Sequence, residues 1–76
     1  MTQYGVKIAS NKIPQFAADD ANRWLRKIAE SGCEIVEIKH EVTAPPPGSH
    51  EAIMYTTFIT YKTADGMTEM PDITLY

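Results

Sequence analysis

Arg23 and Arg26 stand three residues apart in a helix-like segment, and Ser49 and His50 follow Gly48 at the end of a proline run. Guanidinium groups are planar forks that match the oxygens of phosphate. Ser49 and His50 offer hydrogen-bond donors, Gly48 allows a ligand close to the backbone, and Pro45-Pro46-Pro47 stiffens the approach. These parts suit an anionic or polar small ligand. Tyr55, Tyr61 and Tyr76 add rings able to stack on a purine, and Tyr61 joins the two arginines, Ser49 and His50 as a candidate ligand-binding residue.

Each group also has a plainer reading. Asp19 precedes Arg23 by four residues and Glu30 follows Arg26 by four, a spacing for surface ion pairs worth about a few tenths of a kcal/mol each. The proline loop also reads as a stiff hairpin connection. The tyrosines suit ordinary sheet packing, and Trp24 suits the core. His40 interrupts an apolar strand face. Its expected role is a half-buried ring bonded to a backbone carbonyl, with ligand binding as the alternative.

Catalysis finds little footing. Serine, cysteine and histidine occur, but not in G-x-S-x-G, and no glycine-rich loop precedes the helix. Asp19, Asp20, Glu30, Glu34, Glu37 and Glu41 fit solvated faces. Cys33, His40 and His50 lack the paired spacing of a zinc site. The expectation is a protein that is not an enzyme and holds neither cofactor nor metal.

The chain has 76 residues, enough for one small domain with a core over about residues 4–62 and a C-terminal arm over 63–76. A core of this size is marginal unless reinforced. Cys33 is the only cysteine, which rules out an intrachain disulfide and leaves homo-oligomerisation as the common remedy. The free thiol and the absence of a secretory segment suggest a cytoplasmic setting. No apolar run approaches the roughly 20 residues of a membrane span. A net charge of −3 with interspersed signs gives no footprint for broad nucleic-acid binding.

The elements that must position these residues follow from periodicity. Residues 4–8 alternate, with Tyr4, Val6 and Ile8 on one side, and predict a first strand. Pro14 suits a first helical turn. Over residues 15–31, Ala17, Ala21, Trp24, Leu25 and Ile28 fall on one arc of about 100°, and Gly32 ends the helix. Strands are expected at about 33–43 and 52–62, then a turn at Asp65-Gly66 and a possible short fourth strand at 73–76. Pro71 would place that strand at an edge or make it an arm reaching a neighbour. The expected fold is α/β (α+β): one βαββ domain, a helix on an antiparallel-rich sheet, with a right-handed crossover between the first two strands.

Val36, Ile38, Val42 and Ala44 should form the face of the second strand that meets the helix, leaving a charged side that includes Ile35. The third strand carries Ile53, Tyr55, Ile59 and Tyr61 on one side, Met54 and Phe58 on the other. One helix covers one face only. A second chain is therefore expected over part of the other, through Tyr55, Ile35 or the tail 73–76.

Taken together, Val6-Lys7-Ile8, a helix ending near Trp24-Leu25, Ile35-Val36-Glu37-Ile38-Lys39 and Tyr55-Thr56-Thr57-Phe58-Ile59-Thr60-Tyr61-Lys62 resemble the small sporulation-associated Cse proteins of Gram-positive bacteria. The likeness covers about residues 6–62 and consists of strand residues. The proline loop and the tail after Asp65 depart from it. Similar phage proteins include the Thoeris anti-defence sponges, which bind cyclic ADP-ribose-type immune signals without degrading them. The resemblance implies an oligomeric βαββ scaffold binding a nucleotide-derived small molecule between subunits, with arginine and backbone contacts to phosphate. In a phage protein the setting would be the host cytoplasm. The alternative is a protein–protein interaction module, either a sporulation-associated structural protein or a phage inhibitor of a host enzyme.

Overall fold

The computed structural model describes residues 2–75. It contains β1 (Tyr4–Asn11), α1 (Pro14–Glu30), β2 (Glu34–Thr43) and β3 (Met54–Lys62), in that order. The sheet order is β1-β3-β2, with β3 antiparallel to both neighbours. This is a split β-α-β unit, in which the last strand fills the gap between the first two. The small α+β βαββ expectation holds.

Local chemistry explains the boundaries. The β1 strand runs three residues further than alternation predicts, because Ser10 Oγ meets Thr56 Oγ1 across the ladder at 3.1 Å. Asn11 Oδ1 then accepts a hydrogen bond from the Ile13 N–H at 3.0 Å, turning the chain into the helix. Pro14 occupies the first turn of α1. At the other end Ser31 Oγ donates to the Ile28 carbonyl at 2.6 Å, and Gly32 takes a φ of 87°.

The odd-numbered residues of β3 face the helix. Ile28 and Ile59 are fully buried there, joined by Ala9, Ala21, Cys33 and Tyr61. Burial of an Ile side chain stabilises by about 1.5–3 kcal/mol, so these two anchor the fold. Trp24 packs partly buried against the cluster, with Lys7 Nζ 4.9 Å from its ring centroid.

One expectation about β2 fails locally. Ile35 pairs with Tyr61 and Glu37 with Thr60, so Val36 is an extra residue, a β-bulge. The bulge shifts the alternation and puts Ile35 on the same side as Ile38, His40 and Val42, away from the charged side expected for it. The helix covers that side poorly. Every residue of β2 is exposed, since α1 packs chiefly on β1 and β3.

The C-terminal segment folds back on its own chain. Asp65-Gly66 turns as expected, with the Met67 N–H donating to the Ala64 carbonyl at 3.1 Å. The Met70 N–H donates to Gln3 Oε1 at 3.0 Å. Ile73 is buried in the core, with Met67 and Met70 beside it. Residues 73–75 form no strand, and Ile73 is spent inside the monomer rather than on a neighbour. Tyr76, the last residue of the expected fourth strand and one of the rings considered for stacking, lies outside the described residues. No helix among those described is long and apolar enough to cross a membrane.

Candidate functional site

Helix α1 presents Ala17, Ala18 and Ala21 where it passes β2. Alanine side chains are too short to close the gap, and a groove of about 340 Å³ remains. Its far wall is Ile38, His40 and Val42 of β2, and Tyr55 and Thr57 of β3 form the floor. Leu25 and Asn22 complete the helix side. The lining is mainly apolar, with a few polar groups at fixed places, the usual make-up of a small-molecule site. His40 Nδ1 lies 3.0 Å from Thr57 Oγ1, so the ring is oriented by a hydroxyl rather than by the expected backbone carbonyl.

A second crevice, about 560 Å³, lies at the same end of the sheet. Lys12, Thr43, Pro45, His50, Glu51, Ala52 and Met54 line it. The pair Val42–Tyr55 belongs to the groove, and the next pair along the ladder, Thr43–Met54, belongs to the crevice. Lys12 and Pro14 come from the same turn and serve one cavity each. Successive pairs point to opposite faces, so the groove lies on the helix face, while Thr43 and Met54 turn to the other face, toward the crevice. The loop 44–53 is shaped locally: Gly48 has a φ of 83°, the Ser49 N–H donates to the Pro46 carbonyl at 3.1 Å, and the Glu51 N–H donates to Ser49 Oγ at 3.1 Å. Lys12 gives the crevice a positive charge and His50 a hydrogen-bonding ring, opposed by the Glu51 carboxylate.

The five residues expected to bind ligand do not converge. His50 lines the crevice, and Ser49 braces the loop that carries it. Arg23 and Arg26 lie on the exposed side of α1, on a shallow depression with Lys27, Glu30 and Leu75. Arg23 Nη1 is 3.6 Å from Asp20 Oδ1, and Lys27 Nζ is 3.8 Å from Glu30 Oε2. The ion pairs are thus i,i+3 and use Asp20 and Lys27, where the spacing pointed to Asp19 and Arg26.

Tyr61 is a correction. It is 4 % exposed, deep under the helix, and its ring covers Gly5 of β1. A Cβ at Gly5 would come within 2.6 Å of Tyr61 Cζ. Burial pushes the phenol pKa above its usual value, and the nearby Cys33 and Asp72 push it further the same way. Such a ring is a core element and offers no face to a ligand.

Lys12, Asn22 and Thr57 carry the polar side of the cavities and went unread in the sequence. Asn22 left a faint trace: it follows Ala18 by four and precedes Leu25 by three, a polar residue on an otherwise apolar stripe. Lys12 left none, because its place depends on how a loop forty residues away folds back. Among the described residues no cluster of histidine, cysteine or carboxylate groups is suited to a metal ion. Comparison of the chain with protein-family models, curated proteins and solved structures finds no match.

Proposed function

We propose that this chain is a non-catalytic binder of a nucleotide-derived small molecule, sequestering a signal of the cyclic ADP-ribose or other cyclic nucleotide type. One observation carries the reading. A crevice of about 560 Å³ sets Lys12 and His50 beside the apolar Pro45, Ala52 and Met54. The base packs on that apolar wall, with Thr43 to meet its edge. The phosphates then lie toward the lysine and the histidine. A charge-assisted hydrogen bond from Lys12 and a hydrogen bond from His50 supply affinity, and the apolar wall supplies selectivity. The resemblance to the sponge proteins implies the same ligand class but a site between subunits with arginine at the phosphate, where this reading uses Lys12 and His50 of one chain.

Calorimetric titration with cyclic nucleotides tests the placement. Lys12→Ala should weaken binding about tenfold or more, the worth of one charge-assisted hydrogen bond. Arg23→Ala should leave affinity within about twofold, since that guanidinium sits by Asp20 on an open surface. The reverse pattern would move the anion site to the helix. No measurable binding by the wild type would sink the reading.

The interaction-module reading has its own support in Tyr4, Val6 and Ile8, which lie 53–65 % exposed on the sheet face away from the helix. Such a module would ignore every nucleotide and require a host protein partner.

A further inference from the structure

We propose that β2 is a self-pairing edge: two copies of this chain join antiparallel through it, about a two-fold axis at His40. The result is one six-stranded sheet with both helices on the same face. The inference stands apart from the ligand reading.

Strand β2 lies at the edge of the order β1-β3-β2, runs ten residues without proline, and is exposed throughout. Its outward backbone donors and acceptors form a template for another strand. Proteins usually blunt such an edge with proline, lysines or a short strand. Here the charges Glu34, Glu37, Lys39 and Glu41 all lie on the face away from the helix, and one bulge sits at the far end. The large side chains are uncovered as well: Ile38 is 43 % and Val42 65 % exposed.

The order of side chains selects a second copy as the occupant. When a strand pairs antiparallel with itself, facing residues must both send their backbone groups outward, so the axis passes through a single residue. With the axis at His40, Ile38 faces Val42 of the second copy on the helix side. On the other side Lys39 faces Glu41 of the second copy, and each contact occurs twice. Lys39 Nζ already lies 3.3 Å from Glu41 Oε1 within one chain. Pairing therefore closes a ring of four alternating charges. The neighbouring registers are worse. An axis at Lys39 opposes lysine to lysine and Glu37 to Glu41. An axis at Glu41 opposes two carboxylates and sets Val42 against His40. An axis at Ile38 matches charges but runs the ladder into the bulge at Val36. Opposite charges facing across a ladder stabilise it and like charges destabilise it, so the sequence order favours one register.

Light scattering on charge variants tests this. The wild type should be a dimer at micromolar concentration. Lys39→Glu and Glu41→Lys each place like charges across the axis, and each should weaken self-association about tenfold or more. Mixed in equal amounts, the two variants should dimerise again, because every facing pair is then opposite. Both lose the intrachain ion pair alike, so recovery on mixing reports pairing between chains. Hydrogen exchange gives a second readout: amides over residues 37–43 of the wild type should gain protection as concentration rises. A monomeric wild type, a dimer indifferent to both variants, or variants that do not recover on mixing would overturn the proposal.

Discussion

Tyr61 shows how a single residue changes meaning once its neighbours are known. Alternation along β3 correctly put it with Tyr55 and Ile59, but gave no hint that Gly5 stands opposite. That register joins residues far apart in the chain, so the pocket for the ring was invisible until the strands were paired. Two outcomes follow. Gly5→Ala should destabilise the protein by about 1–3 kcal/mol in urea denaturation, because the new methyl overlaps a buried ring that has little room to move. The phenol adds a pH effect. Its pKa is raised in the folded state, chiefly by burial. Its contribution is therefore complete below the ordinary phenol value of about 10 and is lost as pH rises through the folded value. Denaturation midpoints should fall on that alkaline limb, and Tyr61→Phe should flatten the fall. A limb unchanged in the variant would assign alkaline unfolding to other groups.

At the scale of elements, helix and strands were largely legible, because their signals are local. Pro14 and Gly32 bracket α1, and the arc from Ala17 to Ile28 faces the core as periodicity required. The bulge at Val36 was not legible, since it depends on how β2 settles against β3. Nor was the groove, which exists because the alanine stripe falls opposite β2. A helix of 17 residues spans about 25 Å, while a ten-residue strand spans about 33 Å, so α1 is too short to cover the hairpin. Stability should be lopsided as a result. Ile28→Ala, at a fully buried site, should cost about 2–5 kcal/mol, whereas Val42→Ala should change monomer stability by no more than about 0.5 kcal/mol. Thermal or urea denaturation of the two variants under dissociating conditions checks the contrast. Comparable losses would mean that β2 is held as firmly as β3.

The whole molecule is long for its size. Its radius of gyration is 14.7 Å and its extents are 52 × 21 × 15 Å, where a compact chain of this length would have a radius near 11 Å. The β2–β3 hairpin and the loop 44–53 project past the start of α1, and both cavities sit at the base of that projection. The placement matches a binding reading, since the loop's His50 and the turn's Lys12 converge only there. Glu51 in the same crevice works against an anion, so Glu51→Gln should tighten binding of a cyclic nucleotide, seen as a lower Kd in calorimetry. On the proposed function the protein binds such a molecule and leaves it unchanged. The most direct measurement is thermal unfolding against a panel of cyclic nucleotides, followed by chromatography of the ligand recovered after heat denaturation. A ligand present at a hundred times its Kd should stabilise the fold by about 2.7 kcal/mol and return intact. Unfolding indifferent to the whole panel, or a product accumulating over many turnovers, would contradict the account.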